Sequence, residues 1–327
     1  MKKISSKKKT KVLVCGANGF IGRNIIEKLS KRDDLEVYGT YFNAQPDDLL
    51  SKNKNISLIK ADLTQKLVVD GIIKGKDVVI QAAAVTSGSK DILEKPYIHV
   101  TDNAIMNSLI FKSCFDHKVS HVVFFSCTVM YPNQKAPVKE KDFNYQITNK
   151  YFGVGWTKVY LEKMCEFYSR ISNTKYTAIR HSNIYGPFDK YDLERSHFFG
   201  ATITKALTNK DGKILVWGDG SEERDLLYVS DLVDFVEAVL KKQKEPFELI
   251  NLGMGSAFSV KEVIEKIITI SQKKLKLEFD TSKPTIKFNL AVNIDKAKKI
   301  YNWKPKVSLK EGIRRTISWY RQNILNK

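Results

Sequence analysis

Val12-Leu13-Val14-Cys15-Gly16-Ala17-Asn18-Gly19-Phe20-Ile21-Gly22 is the stretch on which the fold turns. The short apolar run up to Cys15 follows a basic segment and predicts a fully buried parallel strand. Gly16, Gly19 and Gly22 then recur every third residue, and Ile25, Ile26 and Leu29 continue at helical spacing. A strand, a tight turn and a helix in that order bring backbone amides and a positive helix terminus to one point, where a pyrophosphate can sit. Three close glycines also suit an ordinary tight turn; the flanking strand and amphipathic helix favour a dinucleotide. The expected cradle is Gly16, Asn18, Gly19, Phe20, Ile21 and Gly22.

With 327 residues, 43% hydrophobic and 28% charged, the chain suits a soluble globular protein of one large domain or two modest ones. No apolar stretch reaches the roughly 18 residues of a membrane span. The basic start from Met1 to Lys9 lacks the apolar core of a secretory signal. A cytoplasmic location, no membrane partner and a basic, disordered tail over residues 1–10 are therefore expected. The net charge of +19 raises the question of nucleic acid. Its lysines spread along the whole length, with no basic run interleaved with aromatics, so a solvated lysine surface is the reading and no nucleic-acid partner is expected. Cys15, Cys114, Cys127 and Cys165 form no CxxC pair, which points to reduced thiols; no metal site is expected.

Downstream, strands are expected at Glu36–Tyr41, Ile56–Leu63, Val78–Ala84, His121–Ser126 and Tyr176–Arg180, with long helices near 97–115 and 155–171. Strands alternating with helices predict an α/β fold, a Rossmann-type doubly wound parallel sheet with ligands outside the carboxyl ends of its strands. The second strand ends in Thr40-Tyr41-Phe42-Asn43, without the acid that holds a ribose hydroxyl and without an arginine for a 2′-phosphate. The missing acid tilts a near-even choice between NAD and NADP slightly towards NADP. Asp62, beside Leu63, either accepts from an adenine amino group or caps the next turn. The small residues Ala82, Ala83 and Ala84 leave room for a cofactor across a strand end. Beyond residue 188 the expected elements are helices near 197–208, 230–241, 259–272 and 308–322 and a strand at Ile214–Trp217. Residues 11–187 are read as the cofactor domain and 188–327 as a smaller α/β substrate lobe, with some chain crossing back to the sheet.

These residues resemble the extended short-chain dehydrogenase/reductase family, the NAD(P)-dependent sugar-nucleotide epimerases, dehydratases and reductases. The resemblance rests on Gly16–Gly22, Ala61-Asp62-Leu63, Gln81-Ala82-Ala83-Ala84, Arg180-His181-Ser182-Asn183-Ile184-Tyr185-Gly186-Pro187, Arg224–Leu232 and Asn302-Trp303-Lys304-Pro305. Within the family, the stretch from Asn183 through Ser196-His197 is similar to the GDP-L-fucose synthases, where the histidine is the epimerisation acid. The resemblance implies a nucleotide-diphosphate sugar as substrate, GDP-linked at first guess, and hydride exchange at a sugar carbon in surface-polysaccharide biosynthesis. It places Asn183, His197, Lys205, Trp217 and Arg224 at the substrate, and His181 and Lys158 at the cofactor. Arg224 carries the plainest chemistry, since a guanidinium grips a diphosphate bidentately. His197 is either a catalytic acid/base or a loop histidine that only touches cofactor or sugar.

The family's chemistry needs a phenol four residues before the active-site lysine. Lys158 is present, but Val154 stands at that position. Tyr151, seven residues before Lys158, has nearly the same helical azimuth but lies about 10 Å away if the helix persists. It substitutes only if the chain enters the helix differently. The usual partner hydroxyl is replaced by Cys127, with Thr128 beside it, and Val129 stands where the epimerising cysteine would be. The proton then comes from Tyr151, Thr128, Cys127 or water, or the chain is a non-catalytic descendant that binds cofactor or nucleotide sugar as a sensor or scaffold. The resemblance also implies a homodimer across the two long helices, with Ile105, Leu109, Val159 and Met164 compatible with that interface or with the sheet.

Overall fold

The structure, a computed structural model, describes residues 8–86, 94–134, 136–194, 196–282 and 289–326. Seven strands form one sheet: β1 (Thr10–Cys15), β2 (Leu35–Tyr41), β3 (Ile56–Lys60), β4 (Val78–Gln81), β5 (His121–Phe125), β6 (Lys175–His181) and β11 (Phe247–Leu252). Their spatial order is β11-β6-β5-β4-β1-β2-β3, and every pairing is parallel. This is a Rossmann-like α/β fold. The order reverses between β1 and β4, where Cys15 lies in register with Gln81. Chains leaving those two strands diverge to opposite faces and open a crevice at the strand ends.

Parallel strands covered on both faces are apolar throughout, which is why β1 and β5 read as continuous hydrophobic runs. One face is covered by α1 (Phe20–Leu29), whose Ile25, Ile26 and Leu29 are fully buried at the predicted spacing. The other face carries α3 (Lys66–Ile73), α4 (Thr101–Asp116) and α5 (Phe152–Arg170). A four-residue helix, α2 (Asp48–Ser51), follows β2 and is capped by the Asp47 side chain.

The remaining chain holds β7 (Asn183–Tyr185), α6 (Phe198–Thr208), β8 (Lys213–Trp217), β9 (Glu223–Arg224), β10 (Leu226–Tyr228), α7 (Val229–Lys242), β12 (Phe258–Ser259), α8 (Val260–Ser271), β13 (Lys276–Asp280), α9 (Asp295–Tyr301) and α10 (Leu309–Tyr320). A third core, including Tyr185, Phe199, Ile203, Ile264, Ile267 and Ile313, unites α6, α8 and α10. α7 packs Leu232, Phe235 and Val236 beside α1, and β11 extends the main sheet along β6.

Several expectations need correcting. Of the tail expected over 1–10, residues 1–7 lie outside the described residues and Thr10 already opens β1. The third and fourth strands stop at Lys60 and Gln81, leaving Asp62, Leu63 and Ala82–Ala84 in the loops beyond them. The helix expected from 97 begins at Thr101, after a 3-10 turn over Pro96–His99, and α5 begins at Phe152. Leu109 and Met164 pack on the core of the sheet face that carries α4 and α5 and Val159 is buried, while Ile105 is exposed, so of the two alternatives left open for these residues Leu109 and Met164 take the sheet side. Cys15, Cys114 and Cys165 are buried, and Cys127 is partly buried just beyond β5.

Candidate active site

The crevice between β1 and β4 is built to admit a diphosphate. Gly16 has φ +75°, and a Cβ there would stand 2.7 Å from Ala83 Cα. A Cβ on Gly22 would stand 2.2 Å from the Gly16 carbonyl oxygen. Thus the turn, the helix and the Ala83 loop meet with no space for side chains. Gly19 caps α1 without any side-chain hydrogen bond, so the first-turn amides of Phe20 and Ile21 face the crevice uncapped by a side chain. Asn18 donates to the Ala44 carbonyl at 3.0 Å and holds the loop after β2 against the turn.

Other expected cofactor residues have structural duties. Thr40, expected at the cofactor, is buried and its Oγ1 accepts from the Gly16 amide at 3.0 Å, so it braces the glycine turn. Asp62 Oδ1 accepts from the Thr64 amide at 3.0 Å and its hydroxyl at 2.7 Å, which is the turn-capping alternative and holds the carboxyl below its usual range. Leu63 is a core residue. Ala83 is fixed by the Gln81 side chain, which bonds both its amide and its carbonyl.

Beyond β5 and β6 the titratable groups gather. Lys158, on the second turn of α5, donates from Nζ to the Phe125 carbonyl at 2.8 Å. Burial depresses its ammonium, while Cys127 and Glu162 oppose the shift. Burial pushes the Cys127 thiol up, against Lys158 and a hydrogen bond from the Val129 amide. Thr128 is buried and its carbonyl accepts from the Tyr131 amide at 3.1 Å, closing the turn after the strand. His181 bonds the Ser182 carbonyl through Nδ1 at 2.8 Å. A carbonyl only accepts, so Nδ1 carries the proton and Nε2 is a bare lone pair. Burial, with smaller contributions from Lys158 and His197, takes this imidazole down to about 4, and Ser182 opposes the shift. His197 caps α6 and is lowered by burial, then by Lys190 and His99.

Tyr151 closes a 3-10 turn over Asn149–Tyr151 and stands immediately before α5. The α-helix begins only at Phe152, so Tyr151 enters it from the preceding 3-10 turn. Burial raises its phenol, Arg224 lowers it and Cys127 raises it, so the hydroxyl lies within electrostatic reach of both. Arg224, on β9, donates to the Glu223 carbonyl at 3.0 Å and is lowered by burial, with Tyr151 and Glu222 opposing. Asn183 Nδ2 donates to the Asp225 carbonyl at 3.1 Å, at the start of the substrate lobe. Lys205 in the last turn of α6 and Trp217 at the end of β8, 59% exposed, sit on that lobe. No hydrogen bond joins either side chain to the Tyr151 group among the described residues.

The family model described as the NAD dependent epimerase/dehydratase family matches residues 12–253. The chain belongs to that family. A UDP-glucuronate 4-epimerase of Thermodesulfobacterium geofontis is 28% identical, covering 95% of this chain and 96% of its own. A GDP-L-fucose synthase of Sinorhizobium fredii is 27% identical, covering 96% of each. Among solved structures, a UDP-glucuronic acid 4-epimerase from Bacillus cereus, in complex with UDP-glucuronic acid and NAD, superposes with a TM-score of 0.83 at 25% identity, over 96% of this chain and 99% of that one. These relatives divide between UDP and GDP sugars, and the NADP leaning drawn from the missing acid finds no support in them.

As a member of the epimerase/dehydratase family the chain has one residue that sequence reading passed over. Lys150, next to Tyr151, is half-buried and lowered by burial and by Arg224. Two converging cations are chemically suited to an anion. The signal was present only as a lysine beside a singled-out tyrosine, because its proximity to Arg224 depends on the 3-10 turn. No helix among the described residues is long and apolar enough to cross a membrane. No group of three or more potential metal ligands occurs among them.

Proposed function

We propose that the chain is an NAD-dependent enzyme that exchanges hydride at a carbon of a nucleotide-diphosphate sugar, C4 first, with Tyr151 supplying the proton that the family's usual phenol would supply. What supports this reading is that Tyr151 is electrostatically coupled to Arg224 and Cys127, and that Lys158, fixed on the Phe125 carbonyl at 2.8 Å, is coupled to the same Cys127. When bound, the nicotinamide supplies the hydride chemistry. Gly16 to Gly22 seat the diphosphate of the cofactor, and Lys158 orients what lies over the Phe125 carbonyl. Arg224 and Lys150 hold the diphosphate of the sugar nucleotide, and Tyr151 exchanges a proton with the sugar oxygen. Cys127, Thr128 and His197 line the sugar, with water as the competing proton source. NAD is favoured over NADP because the tip Tyr41-Phe42-Asn43 carries no cation for a 2′-phosphate. GDP and UDP sugars both remain in the substrate class, and surface-polysaccharide sugar synthesis is its expected setting.

The assembly we propose is a homodimer across α4 and α5, where Ile105, Tyr160 and Phe167 are about half exposed at helical spacing along the outer faces. Leu109 and Met164 pack on the core beneath and lie outside this face.

Val154 favours a second reading, a binding protein without turnover. The two readings separate on incubation of purified protein with NAD, NADH or NADPH and a panel of UDP and GDP sugars and their 4-keto forms. Conversion of any of them supports the enzyme. Absence of conversion by a protein that binds cofactor, together with a gain of orders of magnitude in Val154→Tyr, supports the binding protein.

A further inference from the structure

The segment leaving β7 does more than join the two lobes. The Pro187 carbonyl accepts from Asn24 Nδ2 at 2.9 Å, and Asn24 lies on α1 just after the glycine turn. Next to it, the ring of Phe188 lies under the Arg23 guanidinium, 4.7 Å from its centroid, so two successive residues of α1 grip two successive residues of the segment. Lys190 then donates from Nζ to the Thr86 carbonyl at 2.7 Å. Thr86 belongs to the loop that leaves β4. α1 covers one face of the sheet, whereas the chain beyond β4 runs to α4 on the other. Residues 187–190 thus run from α1, beside the Gly16–Gly22 cradle, to the loop beyond β4.

We propose that residues 187–190 form a strap across the dinucleotide, with Asn24 as its hinge-side anchor and Lys190 as the latch that sets how fast the cofactor escapes. The proposal rests on the dinucleotide reading above. Asn24 and Lys190 are positioning residues that act through the strap. The Lys190 side chain is the more exposed of the two anchors, and Asn24 is half-buried. Opening the Lys190 bond frees one end while Asn24 and Arg23 keep the other in place.

The test is the rate at which bound NADH leaves the full-length protein, followed by loss of its fluorescence when excess NAD is added. Lys190→Ala is expected to release NADH about tenfold faster than the parent, on the scale of one lost charge-assisted hydrogen bond. Lys190→Arg, which keeps a cationic donor of similar reach, is expected to restore slow release to within about threefold. The thermal midpoint of the cofactor-free protein should be the same in all three, which a merely structural role would not allow. Asn24→Ala serves as the second variant and should also speed release. Release that is unchanged in both Lys190→Ala and Asn24→Ala overturns the strap while leaving the cofactor reading intact. Failure of the parent to bind NADH at millimolar concentration overturns the cofactor reading and the strap with it.

Discussion

Lys158 Nζ and the carbonyl oxygen of Phe125 lie 2.8 Å apart, joining α5 to the last residue of β5. That bond aims the ammonium at the strand ends, beside Cys127 and within reach of His181. A methionine of similar length cannot donate. Lys158→Met is therefore expected to keep the fold and to lose turnover by 10²-fold or more, with weaker NADH binding. Turnover within threefold of the parent would contradict the role.

The glycine cradle makes a sharper steric prediction. Gly22→Ala places a Cβ 2.2 Å from a backbone oxygen that cannot swing aside. Such overpacking costs roughly 1–3 kcal/mol, with the turn distorted where the diphosphate would lie. Chemical denaturation should register the cost, and NADH titration should show binding weakened far beyond it.

Beneath the site, Arg180 forks onto Glu162 at 2.9 and 2.6 Å, and Ser126 donates to the same carboxylate at 2.5 Å. Both charges are almost wholly buried. Arg180→Met leaves Glu162 without its partner and is expected to destabilise by about 3–5 kcal/mol. Arg180→Met combined with Glu162→Met should recover much of that loss, as thermal or urea unfolding would reveal.

Acid stability follows from His121. Its Nε2 lies 2.9 Å from Thr177 Oγ1, whose hydroxyl donates to Gln243, so the ring nitrogen must donate. Burial, then Lys175, depresses it from 6.5 to about 4, with Gln243 opposing. The unfolded chain takes up a proton near pH 6.5 that the folded chain refuses. The neutral ring's contribution is thus complete above pH 6.5 and declines as pH falls towards 4. Between pH 7 and 5 it should remove on the order of 1–2 kcal/mol. His121→Gln is expected to flatten that part of the stability–pH curve.

How far the sequence could be read depended on how local each feature is. The buried strands, α1 and the glycine cradle were legible because hydrophobic period and turn chemistry act within a few residues. The return of Phe247–Leu252 to the main sheet was not, since its half-polar pattern FELINL says nothing of a partner some seventy residues earlier at β6. The brace from Thr40 to Gly16 was not legible, because it is a tertiary contact between two strand ends. Whether Tyr151 joins the site was not legible, because its coupling to Arg224 and Cys127 is tertiary. Val154 was legible at once, as a departure in a spacing otherwise kept.

Replacement of Tyr151 by phenylalanine tests the account most directly, because the change removes one hydroxyl and leaves the ring. With whichever nucleotide sugar the parent converts, Tyr151→Phe is expected to lose 10²- to 10⁴-fold in kcat while binding NADH as tightly as the parent. A Tyr151→Phe protein that turns over as fast as the parent would contradict it.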